Sequence, residues 1–188
     1  MDIRAVPADA LLPYGAALRS VYADAFRPPP WNEDEEQAAA FAARLASDVR
    51  RPGFTAALAF DGPSLVGFAT AWTTPTPFPA DRCYPQAAVA LGRSRTEEWL
   101  CGAREIDEIA VRPAARGSGI GAGLLEAVTA DVTDGRAWLL TSLRAARTVS
   151  FYRHRGWTQA THPAPEGEGV AVFLGPRHPA RALAAQPL

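Results

Sequence analysis

The chain predicts an α/β fold on three observations. Its 188 residues are 48% hydrophobic and 21% charged, the balance of a soluble domain with enough chain for a real core. Short apolar runs of strand length alternate with segments whose apolar residues recur at helical spacing. At 105–128 a short apolar strand, a tight turn and an amphipathic helix follow one another, and the helix opens on Gly117, Gly119 and Gly121. A helix start stripped of side chains exposes backbone N–H groups at the positive end of the dipole, where an anion binds.

The elements follow in order. Residues 2–6 read as a strand, and Leu11, Leu18, Tyr22 and Phe26 then share a helical face. Pro28, Pro29 and Pro30 end that helix, because three imino residues supply no backbone donor. Asn32 with Glu35 fits an N-cap box, and Phe41, Leu45 and Val49 carry a second helix. Pro52-Gly53 stops it. Strands are expected over 54–60 and 65–72, flanking the hairpin signal Asp61-Gly62-Pro63-Ser64. Residues 74–102 are Pro-containing and without a period, and so predict an irregular functional loop or lid. A strand over 105–111 leads to a third helix with Ile120, Leu124, Val128 and Val132 on its buried stripe. A strand over 136–143, a helix over 149–155 closed by Gly156, and strands over 157–160 and 170–174 complete the domain, residues 1–175. The tail, 176–188, is rich in Pro, Ala and Arg and is expected to fray. No internal repeat is visible.

Composition excludes several classes. Net charge is −1, so no global field points to nucleic acid or a membrane surface. All 19 basic residues are arginine. Two cysteines, Cys83 and Cys101, make neither a disulfide framework nor a metal quartet, and the histidines show no ligand spacing with them; two reduced thiols in a cytoplasmic protein are expected, with no metal. The start Met-Asp-Ile-Arg has no basic or apolar leader region, and no apolar run approaches a membrane span of about 20 residues.

Three phosphate-binding readings compete for the glycines. A P-loop needs Lys and then Ser or Thr after its glycines, and Gly121 is followed by Ala122-Gly123. Gly117-Ser-Gly-Ile-Gly-Ala122 satisfies the loose dinucleotide form, but residues 112–116 separate it from its strand, and the strand ending at Leu143 carries no acid. The third reading uses the whole segment. Val111-Arg-Pro-Ala-Ala-Arg116-Gly-Ser-Gly119-Ile-Gly121 resembles the acyl-CoA signature of the GNAT superfamily of N-acetyltransferases, with Arg116, Gly119 and Gly121 in its three defined places. Ser150-Phe-Tyr-Arg-His-Arg-Gly-Trp157 is similar to the family's second landmark, a Phe-Tyr pair shortly before Gly-Phe or Gly-Trp. The resemblance covers roughly residues 2–175. One departure is Ala145, where many members carry an Asn that contacts the cofactor arm.

The resemblance implies a mixed, mostly antiparallel central sheet with a splayed strand pair, flanked by about four helices. It implies acetyl-CoA as co-substrate, with Arg116, Gly117, Ser118, Gly119, Ile120 and Gly121 around the pyrophosphate. The pantetheine arm would bond main chain at Ile109, Ala110 and Val111, and the Ile109 N–H would polarise the thioester carbonyl. It also implies direct attack by a primary amine in a ternary complex.

Candidate bases are Glu108, placed first, then Glu105, with Asp107 also on the strand. In a regular strand Glu105 and Asp107 face one way and Glu108 the other, and a bulge of the kind the family has brings the two glutamates to one side. Tyr152 is the expected general acid for the leaving thiolate, by the same resemblance. Phe26, Trp31 and Trp72 are expected to wall the acceptor site, with 74–102 as its loop or lid and Asp24 and residues 33–36 making that end acidic. The acceptor is a small-molecule amine or a peptide or protein amine, and the protein a monomer or homodimer. The rival reading is a non-catalytic acyl-CoA-binding or regulatory module of the same fold.

Overall fold

The computed structural model describes residues 2–166, 169–184 and 187. Contacts divide the chain into two units, residues 2–72 with 107–130, and residue 73–106 with 131 onward. The fold is α/β, with seven strands in a mixed, mostly antiparallel sheet.

The first unit holds β1 (Asp2–Val6), β2 (Thr55–Asp61), β3 (Ser64–Thr73) and the second half of β4 (Arg104–Val111), hydrogen-bonded in that order. β1–β2 and β2–β3 are antiparallel. The first expected helix is broken at Pro13: α1 (Ala8–Leu11), a 3₁₀ turn (Leu12–Tyr14), then α2 (Gly15–Phe26). α3 (Glu35–Asp48) is capped by Asp34, not Asn32. Asp34 Oδ1 accepts from the N–H groups of Glu36 and Gln37, and Gln37 Oε1 accepts from Asp34 N at 2.6 Å. Both pairs fit the spacing of a capping box, but Asn32 sits at φ +52°, while an N-cap needs extended backbone.

α2 and α3 share a core with Phe41, Leu58 and Phe68 at its centre. α6 (Ile120–Thr129) packs on β1 and β2, where the sheet is small-faced. A Cβ at Gly67 would lie 3.0 Å from Ala110 O and 3.2 Å from Leu124 Cδ1, and one at Gly123 would lie 2.4 Å from Ile3 Cδ1. Both glycines therefore serve close helix–sheet packing. α6 ends at Thr129, one turn short of the expected Val132.

The second unit holds the first half of β4, β5 (Ala137–Ser142), β7 (Val170–Leu174) and β6 (Thr158–Gln159), in that hydrogen-bonded order. β4 and β5 run parallel in register from Arg104↔Ala137 to Ile106↔Leu139, and β7 is antiparallel to β5 and β6. α7 (Ala146–His154) starts three residues earlier than expected.

Two expectations fail in this unit. Residues 74–83 are irregular as expected, but 84–100 are not: they fold into α4 (Tyr84–Leu91), the short α5 (Arg93–Arg95) and a π-helical turn over Thr96–Leu100. Pro85, one of the prolines of this segment, occupies the first turn of α4, where its missing N–H costs nothing. Tyr84, Leu91, Trp99 and Leu100 then join Trp138 and Val172 in the core. Nor does the start of the tail fray. Pro179–Ala184 form a 3₁₀ helix that buries Ala180 and Ala184. Buried His178 bonds Trp99 O through Nε2 and accepts from Ala180 N at Nδ1. Small residues and one histidine carry no apolar period, so this docking left no sequence signal. The tail at 185, 186 and 188 lies outside the described residues.

Candidate active site

The glycine loop belongs to the first unit. β4 ends at Val111, a 3₁₀ turn follows over Pro113–Ala115, and Arg116 is extended. Gly117 and Gly119 adopt φ +81° and +86°, values that L side chains rarely take. A Cβ at either would meet nothing within 4 Å. The turn requires glycine, and the space in front of it is open. No side chain caps α6, so its first-turn N–H groups are presented to that space. Loop, dipole and opening fit a pyrophosphate.

Two arginines set the loop in place. Arg116 donates from Nε to Val111 O at 3.2 Å and from Nη2 to Ala25 O at 2.9 Å, tying the loop to the end of α2. Arg112 bonds Asp24, Ser20 Oγ and Leu65 O. Ser118 Oγ donates to Ala115 O, which closes the turn below Gly119. Ile109 is half-buried, and Ala110 belongs to the core shared with α2 and α3. Ile120 is buried and Gly121 half-buried on the first turn of α6.

Glu108 lies in the same unit, on an ion-pair chain. Arg44 Nη2 donates to Glu108 Oε1 at 2.6 Å, and Arg44 Nε is 3.6 Å from Asp48 Oδ2. Arg51 Nε donates to Asp48 Oδ1 at 2.9 Å, and the Arg51 guanidinium sits 4.5 Å from the centre of the Trp72 ring. Asp48 is buried, so both arginines neutralise a charge that burial alone would penalise. The sequence did not single out this chain, although Arg44 and Asp48 stand at the i,i+4 spacing of a helical ion pair.

Phe26 and Trp31 meet edge to face at 5.5 Å, and Phe26 also lies 4.6 Å from Tyr22. Trp72 is fully buried, with Arg51 on its ring. The Tyr22 pKa is pushed far above the usual phenol range. Burial is the largest cause, followed by the negative charge of Glu108 and then Glu33.

Glu105 and Tyr152 belong to the second unit. Glu105 is 6% exposed; it accepts from the Tyr84 hydroxyl at 2.7 Å and the Thr74 hydroxyl at 3.3 Å. Tyr152 is buried among Phe151, Trp157 and Phe173, with ring centres at 5.2, 5.9 and 6.2 Å. Thus the loop, Ile109, Ala110, Val111, Glu108, Phe26, Trp31 and Trp72 share one unit, and Glu105 and Tyr152 the other. Tyr84, Thr74 and Trp138 were not anticipated as site residues. Among the described residues no group of three or more His, Cys, Asp or Glu could hold a metal ion, and no helix is long and apolar enough to cross a membrane.

Residues 80–159 match the model of the acetyltransferase (GNAT) domain. No curated protein matches the sequence. Solved structures share the fold. The PaiA N-acetyltransferase from Thermoplasma acidophilum, in complex with coenzyme A, is 14% identical with a TM-score of 0.58, covering 93% of this chain and 99% of its own. A protein from Corynebacterium glutamicum described as histone acetyltransferase HPA2 and related acetyltransferase is 19% identical at 0.61, covering 94% and 97%. The ribosomal-protein-alanine N-acetyltransferase from Brucella melitensis is 19% identical at 0.55, covering 93% and 98%.

Proposed function

We propose that this chain, whose residues 80–159 match the acetyltransferase (GNAT) domain model, moves an acetyl group from acetyl-CoA to a primary amine by direct attack in a ternary complex. The observation that carries this reading is the open, uncapped start of α6 behind Gly117 and Gly119. The coenzyme A bound to the PaiA N-acetyltransferase supports it.

In this reading Arg116, Gly117, Ser118, Gly119, Ile120 and Gly121 hold the pyrophosphate, the last three through the first turn of α6. Main chain at Ile109, Ala110 and Val111 aligns the pantetheine arm. A glutamate of β4, Glu105 or Glu108, accepts the ammonium proton. The neutral nitrogen then attacks the thioester carbonyl carbon, the C–S bond breaks, and the Tyr152 O–H donates its proton to the departing thiolate. Phe26, Trp31 and Trp72 serve the acceptor side. Phe26 packs on Trp31 and on Tyr22, an aromatic cluster that suits a cationic amine. Acceptors of the kinds named for similar structures, including a ribosomal-protein alanine, belong in the test.

The experiment measures thermal stabilisation by acetyl-CoA, NADH and ATP, then CoA release across a panel of small amines and peptides. Stabilisation by acetyl-CoA alone, with CoA released for at least one amine, is expected. Stabilisation by NADH or ATP and none by acetyl-CoA would overturn the reading. Binding without release for any amine would leave the acyl-CoA-binding module in its place.

A further inference from the structure

The turn from α2 to α3 ends on a carboxylate that lacks a counter-ion. Asn32 N donates to Pro28 O at 3.4 Å, and Glu33 N donates to Phe26 O at 3.1 Å, so the main chain seats Glu33 beside the last turn of α2. The acids that follow are engaged elsewhere. Asp34 caps α3, and Glu35 pairs with Arg19 and Arg27. Among the described residues no ion pair includes Glu33, and its Oε2 is buried without a hydrogen-bond donor. A carboxylate oxygen held this way carries a desolvation cost that a cation can offset.

The surroundings of Glu33 are aromatic. Phe26 lies 4.6 Å from Tyr22 and meets Trp31 edge to face at 5.5 Å. Tyr22 is buried, while Phe26 and Trp31 are half-buried and reach solvent. The negative charge of Glu33 acts on Tyr22, adding to burial and to Glu108 in raising that phenol, so carboxylate and rings share one place. The cation of α3, Arg44, is committed to Glu108 Oε1 at 2.6 Å and sits 5.1 Å from the centre of the Phe41 ring. An ammonium on an alkyl chain complements this arrangement. Its charge meets the carboxylate, its methylenes cover ring surface, and the ring faces attract the cation as well.

We infer that Glu33 is a specificity-determining residue that pairs with a second, non-reacting ammonium of the acceptor, and that the acceptor class is therefore an aliphatic diamine. The inference rests on the acetyl-transfer reading above and deepens it by naming the acceptor. The nitrogen that attacks the thioester must be neutral. A carboxylate beside an ammonium favours its charged form, so the nitrogen held at Glu33 is not the one that reacts. An acceptor that uses both places carries two amines joined by a chain.

The test uses the full chain and a matched pair of acceptors, diaminobutane and butylamine, with CoA release as the readout. Two equivalent nitrogens alone would favour the diamine by roughly twofold in kcat/KM, whereas a charge-assisted contact at Glu33 should favour it by about tenfold or more. Glu33→Gln keeps the shape and removes the charge. It should bring the ratio of the two kcat/KM values down by about tenfold, mainly through the diamine KM. Glu33→Asp, which keeps the charge on a shorter arm, should recover part of the ratio. A merely structural Glu33 would move both acceptors together and leave the ratio intact, and that result in folded Glu33→Gln would overturn the inference. The wild-type ratio tests it without any variant, since equal use of the two acceptors beyond the twofold factor would also overturn it. CoA release with other amines or peptides and none with diaminobutane would overturn the diamine class and leave acetyl transfer standing. No release with any amine would overturn the acetyl-transfer reading and this role with it.

Discussion

Glu105 and Glu108 stand three residues apart on one strand, yet their surroundings have little in common. Glu105 is bonded by two hydroxyls, from Thr74 and Tyr84, inside a unit whose core is built of Trp99, Trp138 and Leu100. Glu108 ends a run of charges, Glu108–Arg44–Asp48–Arg51, that closes on the face of Trp72. An ion pair resists giving up its charge, because loss of either partner leaves the other uncompensated. A hydroxyl-bonded carboxylate can take and return a proton while keeping its partners, since a hydroxyl both donates and accepts. One strand therefore carries two carboxylates, one accepting from two hydroxyls and the other from an arginine.

The largest expected effect separates the two directly. One of Glu105→Gln and Glu108→Gln should lower turnover by about 10²–10⁴-fold near neutrality, recovering in part at high pH where the amine arrives deprotonated, and the other should change mainly the acceptor KM. Steady-state profiles of both variants against one good acceptor check this, and two profiles that overlay the wild type would exclude both glutamates as the base. The next effect is on stability. Arg44→Ala leaves Glu108 and Asp48 without their shared cation and should cost roughly 3 kcal/mol, the lower end for breaking a buried pair, read by urea unfolding. Arg44→Met combined with Glu108→Leu should recover most of that loss, because matched removal spares both desolvation costs. If Arg44→Ala unfolds like wild type, the ion-pair chain does not hold this unit.

A smaller effect marks the Glu105 side alone. His178 bonds Trp99 O through Nε2 and accepts from Ala180 N at Nδ1, so it is held neutral, and burial, the largest cause, lowers its pKa. The folded value lies below the ordinary value of 6.5, so the unfolded chain takes up this proton first. Stability from His178 is complete above the unfolded value and is lost as pH falls from there toward the folded one. Hydrogen exchange should therefore show the π-helical turn and the 179–184 helix loosening below about pH 6.5, while α2 and α3 keep their protection. His178→Gln should flatten that dependence. Equal loosening of both regions would break the comparison.

What the sequence made legible follows from how each feature is encoded. Gly117 and Gly119 were visible because their conformation and the open space before them admit nothing else, so the composition carries the geometry. The β2–β3 hairpin was visible for a similar reason, with Gly62 at φ +57°. The segment at 74–102 was not. Its helices are short, Pro85 works as a helix start, and the residues that fix it, Thr74, Trp138 and His178, lie far apart in sequence. Its contacts with Glu105 are tertiary hydrogen bonds, which leave no period to read.

The central claim is that the open start of α6 receives the pyrophosphate of acetyl-CoA, and calorimetric titration of acetyl-CoA into the wild type and Gly119→Val tests it most directly. Valine at φ +86° strains the turn and places its side chain where phosphate must approach the backbone, so each sample is first shown to be folded by circular dichroism. Gly117→Ala, a smaller intrusion into the same open space, supplies an intermediate case. Saturable binding is expected for the wild type, weaker binding for Gly117→Ala and none for folded Gly119→Val. Wild-type affinity in folded Gly119→Val would contradict it.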